Sequence, residues 1–341
     1  MSPLVQTNVS LKNKTTLQVG GVARYYCTLN TKADLWEAVS FLKEHQELPF
    51  VVLGAGSNLL VDDSGYPGLV LAVELKGVVY QEAVDDLVLV TAAAGEIWDE
   101  LVAATVARGL WGLENLSAIP GTVGATPIQN VGAYGVEVAD SLVSLKATNL
   151  RTGQERVFTN EECDLRYRDS WFKTEAGREY VITEVTFSLR KTAEAKVGYA
   201  DLAARFSAPP DDPQAVREAV IAIRAGKFPD WQVVGTAGSF FKNPVVERQK
   251  GEALLALYPN LPLYQVGNDL VKIPLGYVLD KICGLKGYRT GNVGLYEAQA
   301  LVLVNYGGAS ANEIHDFVKL VKQKVYEKTE IEIEPEVRFV P

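Results

Sequence analysis

The hydrophobic pattern of the chain alternates between helix-like and strand-like stretches. In the stretch 311–327, Ile314, Phe317 and Val321 fall on one face at the spacing of an α-helix, which leaves His315 on the exposed side. Similar patterns predict further helices at 34–45, 97–108, 214–225, 252–258 and 275–283.

Strand-like segments are short, apolar and rich in β-branched residues, and they are predicted at 48–53, 69–73, 87–93, 142–150, 156–159 and 180–189. The stretch 235–244 is predicted as a loop. The final stretch, 331–339, alternates with period two and places Glu332, Glu334, Glu336 and Arg338 on one face, as in a solvated edge strand. Because helices and strands do not form a regular βαβ series, we expect an α+β fold.

The length of the chain indicates more than one domain. Domains commonly contain about 100 to 150 residues, so 341 residues predict two or three of them. The composition changes at the proline-rich segment 209–213, where a new helix begins. We therefore expect a domain boundary near residue 208.

Composition narrows the possible partners. A net charge of −9 and a pI near 5.0 argue against nucleic acid and anionic membranes, which both need a basic surface. Three widely spaced cysteines fit neither a disulfide framework nor a metal site, and two histidines nearly exclude chemistry that needs several imidazoles. The chain shows neither a signal-peptide pattern nor an apolar run of about 18 residues. We expect a cytoplasmic protein without metal.

A glycine-containing run between residues 117 and 135 is the first candidate binding element. Gly121, Gly124, Gly132 and Gly135 interrupt small, apolar residues. Glycines let main-chain N–H groups approach a ligand closely, so such a cluster can form a concave anion site. A tight turn between packed elements is the alternative, because glycine is common in turns.

A second candidate is the loop 54–60, which follows the strand predicted at 48–53. It lacks the third glycine and the helix of a dinucleotide-binding fingerprint, since Leu59 takes the glycine's place and 62–68 leads into another strand. Its backbone could contact a pyrophosphate, with Ser57 and Asn58 adding side-chain hydrogen bonds. An ordinary hairpin is the alternative.

Three single residues are candidates for chemistry, and each has a simpler interpretation. Ser239 lacks the Gly-x-Ser-x-Gly context of a hydrolase nucleophile; it could relay a proton, or it could cap a helix. Arg168 beside Asp169 is typical of a surface ion pair. Glu336 lies near Arg338 on the alternating strand, where a carboxylate and a guanidinium could also contact an anionic ligand.

Taken together and in order, these pieces resemble one family. The motifs are Gly54-Ala-Gly-Ser-Asn58, Gly112-Leu-Glu-Asn-Leu116, Ile119-Pro-Gly-Thr-Val-Gly124, Pro127-Ile-Gln-Asn-Val-Gly-Ala-Tyr-Gly135, Tyr167-Arg-Asp-Ser170, Ala237-Gly-Ser-Phe-Phe-Lys-Asn-Pro244 and Glu334-Pro-Glu-Val-Arg338. Spread over nearly the whole chain, they are similar to those of the FAD-dependent UDP-N-acetylenolpyruvoylglucosamine reductases of bacterial cell-wall synthesis. Tyr199 resembles the substrate-covering tyrosine of the longer, first type of this enzyme.

The resemblance implies a two-part FAD-binding fold of the vanillyl-alcohol-oxidase kind with a C-terminal α+β substrate-binding domain. Its first FAD-binding region would be 1–75, joined by the terminal strand 336–341, its second 76–226, and its substrate-binding domain 227–335. Because neither histidine lies in a flavin motif, FAD is expected to be non-covalent.

The reaction implied by the resemblance is reduction of UDP-N-acetylglucosamine enolpyruvate to UDP-N-acetylmuramate, a peptidoglycan precursor. NADPH would reduce the flavin, and flavin N5 would deliver hydride to the vinyl carbon. By resemblance Arg168 stabilises the developing carboxylate charge, Ser239 protonates the adjacent carbon, and Glu336 is the third catalytic residue.

The resemblance also assigns binding residues. The expected FAD contacts are Gly54, Ala55, Gly56, Ser57, Asn58, Leu59, Pro120, Gly121, Gly124, Gln129, Asn130, Gly132, Ala133, Tyr134, Ile182, Arg224 and Arg338. The expected UDP-sugar contacts are Tyr199, Lys227, Asn243, Tyr264, Lys272 and Gln299. A monomer with a small-molecule substrate is expected, and the alternatives are another FAD oxidoreductase of this fold or a non-catalytic protein that binds UDP-sugars or flavin.

Overall fold

A computed structural model describes residues 4–341, so residues 1–3 of the predicted first region lie outside the described part. The α-helices are α1 Lys32–Glu44, α2 Trp98–Val106, α3 Ala200–Ala203, α4 Pro213–Ala225, α5 Arg248–Leu257, α6 Leu275–Tyr277 and α7 Ala311–Thr329. A π-helical turn, Val278–Ile282, continues α6. Short 3₁₀ turns occur at Lys12–Lys14, Glu114–Leu116, Val123–Ala125, Pro127–Gln129, Val138–Asp140, Glu161–Cys163, Trp171–Lys173 and Gly177–Glu179.

The strands are β1 Gln6–Ser10, β2 Val22–Leu29, β3 Phe50–Leu53, β4 Leu59–Val61, β5 Tyr66–Val73, β6 Val78–Glu82, β7 Leu87–Ala93, β8 Gly132–Ala133, β9 Val136–Glu137, β10 Leu142–Asn149, β11 Glu155–Thr159, β12 Tyr180–Arg190, β13 Gly235–Ser239, β14 Val245–Glu247, β15 Tyr264–Val266, β16 Leu270–Lys272, β17 Arg289–Thr290, β18 Val293–Leu295, β19 Val302–Asn305 and β20 Arg338–Val340. The mixture of helices with mostly antiparallel strands confirms the predicted α+β class.

The chain divides into two compact units. The first contains residues 4–9, Ala23–Ala55 and Pro67–Arg224, and the second contains Ser10–Val22, Gly56–Tyr66 and Ala225–Pro341. Each unit is therefore built from segments far apart in sequence. The three-region division stated above stays a prediction.

The first unit contains two large sheets and the two-stranded pair β8-β9. One has the strand order β1-β2-β5-β3, and the other is antiparallel with the order β11-β10-β12-β7-β6. Alternate residues of β12 are buried along most of its length, because one face of this sheet packs on the core. Trp98, Phe158 and Phe187 are among the largest side chains buried in that core.

The second unit contains one four-stranded sheet, β13-β19-β18-β17, one three-stranded sheet, β14-β16-β15, and the parallel pair β20-β4. Helix α7 buries Ile314, Phe317, Val321 and Val325, as its apolar pattern predicts. It begins at a capping box in which Ser310 Oγ accepts from the Glu313 N–H and the Glu313 carboxylate accepts from the Ser310 N–H.

Several local predictions are wrong. The loop 54–60 is not a hairpin, because β3 and β5 are parallel neighbours and β4 between them pairs with β20. Residues 235–239 form β13, although they were predicted as part of a loop. His315 is only partly exposed, since its Nε2 lies 2.9 Å from Asp62 Oδ1. The regular strand at the end of the chain is limited to Arg338–Val340.

Candidate functional site

The glycine-containing stretch 117–124 lies against the end of β7 and the start of α2 in the first unit. The Val123 N–H donates to Glu96 O and the Gly124 N–H donates to Ala94 O, both at 2.9 Å. The Trp98 N–H donates to Gly121 O at 3.1 Å. The stretch is therefore paired like a short strand, which leaves its glycines close to neighbouring backbone.

This close approach explains why glycine occupies position 124. A Cβ built on Gly124 would lie 2.5 Å from Ala94 Cβ and 3.1 Å from Ala94 Cα, which is closer than two carbons can pack. The start of the loop 54–60 also lies here, because a Cβ on Gly54 would be 2.7 Å from Thr122 Oγ1. Two predicted flavin loops thus meet at Gly54 and Thr122.

The stretch 127–135 continues as a 3₁₀ turn that ends at Gln129, followed by β8. Asn130 and Tyr134 both adopt left-handed backbone conformations, with φ of 43° and 51°. The buried Asn130 amide donates to Glu137 Oε2 at 2.7 Å and accepts from the Ala139 N–H at 3.0 Å. Its side chain consequently fixes the shape of the loop, and left-handed residues of this kind turn consecutive N–H groups toward one side.

Arg168 lies beside this loop. Its guanidinium donates to Gly132 O at 2.8 Å, and its own carbonyl accepts from Lys173 Nζ at 2.6 Å. The Asp169 carboxylate lies 3.8 Å from Arg166. Arg168 has a left-handed backbone with φ of 53°, so the chain turns sharply at the residue expected to meet the substrate carboxylate.

Arg224, in the last turn of α4, supplies another cation beside the glycine-containing run. Its Nε donates to Ala118 O at 3.2 Å. Burial lowers the pKa of the Arg224 guanidinium, whereas the nearby Tyr134 and Asp99 raise it. A guanidinium held against the glycine-containing stretch suits an anionic ligand such as a pyrophosphate.

Other predicted flavin contacts of the first unit lie on or near the same elements. Ile182 is buried in β12, opposite Ala147 of β10. Pro120 precedes the paired glycines, Ala133 lies in β8, and Ala55 follows Gly54 at an exposed position. Tyr199, a predicted substrate residue, packs edge-on against Tyr134 with ring centroids 5.6 Å apart. The close packing at Gly124 is explained by contact with Ala94, and Arg224 is a cation of the kind that the phosphates of a dinucleotide need.

In the second unit, the structure brings Ser239 and Glu336 onto adjacent segments. The Glu336 N–H donates to Phe240 O at 2.8 Å, and the Lys242 N–H donates to Glu334 O at 3.0 Å. Ser239 ends β13 and caps no helix, so the helix-cap alternative is wrong. Ser239 and Glu336, the two predicted catalytic residues of this unit, thus lie on or next to two short segments that hydrogen-bond to each other.

The loop residues 56–59 belong to the same unit and contact the same segment. Asn58 Nδ2 donates to Glu336 O at 3.3 Å, while Asn58 O accepts from the Arg338 N–H at 3.1 Å. Leu59 pairs with Arg338 across β4 and β20. The Gly56 carbonyl accepts from the Thr16 N–H at 3.1 Å. Glu336 is therefore positioned directly by a predicted flavin loop.

Predicted substrate residues of this unit lie around the start of α6. Asn243 Oδ1 accepts from the Leu275 N–H at 2.9 Å. Gln299 lies next to α6, because a Cβ on Gly276 would be 2.9 Å from its Oε1. Tyr264 and Lys272 face each other across β15 and β16. Lys227 follows α4 by two residues.

Two residues of the first unit were missed from the sequence. Asp99, in the first turn of α2, accepts from the Ala118 N–H at 2.6 Å and pairs with Arg217 of α4. Nothing in their spacing links them, because 118 residues separate Asp99 from Arg217.

Along residues 4–341, no cluster of histidine, cysteine and carboxylate side chains is suited to hold a metal ion.

Membrane insertion through a helix finds no support in the part of the chain that the structure describes, where no helix is both long and apolar enough to cross a bilayer.

Comparisons with known proteins give one answer along the chain. Residues 23–158 match the family described as FAD binding domain, and residues 230–340 match UDP-N-acetylenolpyruvoylglucosamine reductase, C-terminal domain. The chain is 44% identical to a UDP-N-acetylenolpyruvoylglucosamine reductase of Chromobacterium violaceum over 97% of both chains. It is 43% identical to the protein of that name from Bdellovibrio bacteriovorus, over 97% of this chain and 98% of the relative.

A solved structure is similar over the full length as well. The UDP-N-acetylenolpyruvylglucosamine reductase of Thermus caldophilus aligns with a TM-score of 0.69 and 27% identity, covering 99% of each chain. The chain belongs to the UDP-N-acetylenolpyruvoylglucosamine reductase family.

Proposed function

We propose that this chain reduces UDP-N-acetylglucosamine enolpyruvate to UDP-N-acetylmuramate in peptidoglycan precursor synthesis, with FAD as cofactor and NADPH as reductant. The observation that carries the proposal is the 44% identity to a reductase of that name over 97% of the chain. The match of residues 23–158 to an FAD-binding domain supports the cofactor.

FAD would be held by the two glycine-containing loops. Gly54 and Thr122 bring the loops together in the first unit, and Arg224 offers a guanidinium for the pyrophosphate. The chemistry that FAD supplies when bound is hydride transfer, from NADPH to the vinyl carbon of the enolpyruvyl group. Binding is non-covalent in this proposal, because neither His45 nor His315 lies in these loops.

Arg168 stabilises the negative charge that develops on the substrate carboxylate. Its hydrogen bond to Gly132 O fixes the guanidinium before the reaction, so little reorganisation is needed as charge builds up. Ser239 donates a proton to the carbon next to the carboxylate. Glu336 bonds to the carboxylate or supports this proton transfer, and its main-chain bond to Phe240 O keeps it on the segment beside Ser239.

The UDP part of the substrate is bound mainly by polar side chains and lysines. In a chain with a net charge of −9, a diphosphate needs local positive charge. Lysine is a point-charge ligand for phosphate, and aromatic hydroxyls and amides can orient the remaining groups. The residues assigned to these contacts are Tyr199, Lys227, Asn243, Tyr264, Lys272 and Gln299.

Stopped-flow measurement of the flavin absorbance at about 450 nm tests the proposal, because both half-reactions change this absorbance. We expect NADPH to bleach the flavin and the enolpyruvyl substrate to restore it. In Ser239→Ala, bleaching should continue at a near-normal rate, while reoxidation should slow by roughly a hundredfold to ten-thousandfold. Ser207→Ala, at an exposed loop serine, is the matched control and should slow neither step.

Three results would contradict parts of the proposal. Absence of flavin absorbance, even with added FAD, would refute the function as a whole. Rapid reoxidation by oxygen without need for the UDP-sugar would indicate an oxidase of the same fold. Equal slowing of both half-reactions in Ser239→Ala would show that the serine supports the fold and not the protonation.

A further inference from the structure

An ion pair that contacts the glycine-containing stretch joins α2 to α4. Arg217 NH1 donates to Asp99 Oδ1 at 2.6 Å, and Arg217 NH2 donates to Oδ2 at 2.9 Å. This two-point geometry is the most specific form of a guanidinium–carboxylate contact. The Arg217 side chain is 11% exposed and the Asp99 side chain 35%, so the guanidinium is shielded from water while the carboxylate is partly open to it. Neither residue is assigned to flavin or substrate binding above.

The same carboxylate also holds the backbone of the stretch. Asp99 Oδ1 accepts from the Ala118 N–H at 2.6 Å, and Ala118 O accepts from Arg224 Nε at 3.2 Å. Ala118 has φ of 58°, a left-handed conformation that is unfavourable for alanine because its Cβ approaches the following carbonyl. Both main-chain polar atoms of this unfavourable residue are thus held by charged side chains.

The conformation of Ala118 sets the path of the residues that follow. Ala118 is followed directly by Ile119, Pro120 and Gly121, and Gly121 O accepts from the Trp98 N–H at the start of α2. If Ala118 relaxed to an ordinary backbone conformation, this short segment would have to change direction before reaching Gly121. The carboxylate of Asp99 in turn depends on Arg217 for its orientation.

We propose that Asp99 and Arg217 are positioning residues that hold Ala118 in its left-handed conformation and so preform the FAD loop. The inference rests on the FAD use proposed above. In support, the pKa of Asp99 is lowered: burial raises it, but the hydrogen bonds from Arg217 and the Ala118 N–H, together with the charges of Arg217 and Arg224, outweigh that effect. Asp99 is therefore ionised at neutral pH. Its carboxylate can then accept hydrogen bonds from the Ala118 N–H and from the Arg217 guanidinium at the same time.

The test compares FAD affinity among apoprotein variants. We measure the dissociation constant of FAD from the quenching of its fluorescence, and the urea midpoint of each apoprotein. Asp99→Ala and Arg217→Met should each weaken FAD binding by about tenfold, the effect of losing control of one left-handed residue. The double variant should be no weaker than the worse single variant, because the two residues act through one contact. Arg156→Met, which breaks the exposed pair with Glu162, is the control and should leave FAD affinity unchanged.

A rescue separates positioning from a role in folding alone. Glycine adopts the left-handed conformation without the penalty of a Cβ, so Ala118→Gly placed in the Asp99→Ala variant should restore most of the lost FAD affinity. If Asp99→Ala lowers the urea midpoint but leaves the FAD dissociation constant unchanged, or if Ala118→Gly restores nothing, the proposal is refuted. A wild-type protein that binds no FAD would overturn the proposed function along with it, whereas normal wild-type binding with unaffected variants overturns this inference only.

Discussion

Substituting alanine for Gly124 tests the close packing beneath the proposed flavin loop. Its added Cβ would lie 2.5 Å from Ala94 Cβ, 3.1 Å from Ala94 Cα and 3.2 Å from Ala94 O. Since ordinary carbon contacts are about 3.5 to 4 Å, the two segments must separate by about 1 Å. The atoms in the way are main chain and Cβ, which no rotamer change can move.

The expected loss follows from the hydrogen bonds that this separation breaks. The Gly124 N–H to Ala94 O bond and the Val123 N–H to Glu96 O bond are both 2.9 Å long. A hydrogen bond contributes a net 0.5–1.5 kcal/mol or so, so Gly124→Ala should lower the free energy of unfolding by about 1–3 kcal/mol. Because the loop is displaced, FAD affinity should fall by at least about tenfold.

Urea unfolding of the apoprotein and FAD titration measure the two effects. The matched control is Gly109→Ala, after α2 and outside the glycine-containing run. Gly109 has φ of 68°, and nothing lies within 4 Å of its added Cβ, so this variant should lose only about 1–2 kcal/mol from backbone strain and keep its FAD affinity. The steric reasoning fails if Gly124→Ala binds FAD like the wild type, or if both variants lose FAD affinity equally.

Three further predictions concern side chains. Burial raises the pKa of Glu114, although N–H groups such as that of Gly112 partly oppose the shift. Stability is therefore lost as pH rises from the usual value of 4.5 through the higher native pKa, and Glu114→Gln should remove that loss from the pH profile of urea unfolding. The pKa of Asp99 is lowered instead, so its ionised carboxylate stabilises the fold above pH 3.8, and this contribution is lost as pH falls through the lower native pKa. Asp99→Asn should therefore remove this loss from the acidic part of the pH profile of urea unfolding. Ser310→Ala removes the cap of α7 and should cost about 1 kcal/mol in urea unfolding, with exposed Ser207→Ala as the neutral control.

The sequence predicts best those elements whose own side chains carry the pattern. Helix α7 and strand β12 were located to within a few residues, because apolar residues at fixed spacing require one buried face in any fold. The family and its cofactor were likewise recognised from short ordered motifs, and the matched domains and full-length relatives confirm them.

The wrong predictions share one physical cause, which is pairing with distant segments. The residues of β13, Gly-Thr-Ala-Gly-Ser, have little intrinsic preference for a strand, and they become one because β19 provides the partner. His315 was predicted as exposed from its own helix, but the carboxylate of Asp62, 253 residues away, binds it. β4 pairs with β20, near the end of the chain, and not with a strand next to it in sequence. A local pattern of strand, loop and strand cannot reveal that distant partner, and it therefore favours a hairpin.

The ion pair of Asp99 and Arg217 is a part of the site that the sequence predicts only in part. On α4, Arg217 lies one turn from Pro213 and from Val220, which are both buried, so a helical projection places a cation on the apolar face. A charge in that position requires an anionic partner, because an unpaired buried guanidinium is strongly destabilising. The chain contains 42 acidic residues, and spacing does not distinguish among them. The pattern therefore indicates that a partner exists, and the fold identifies it as Asp99 by bringing the first turn of α2 against α4.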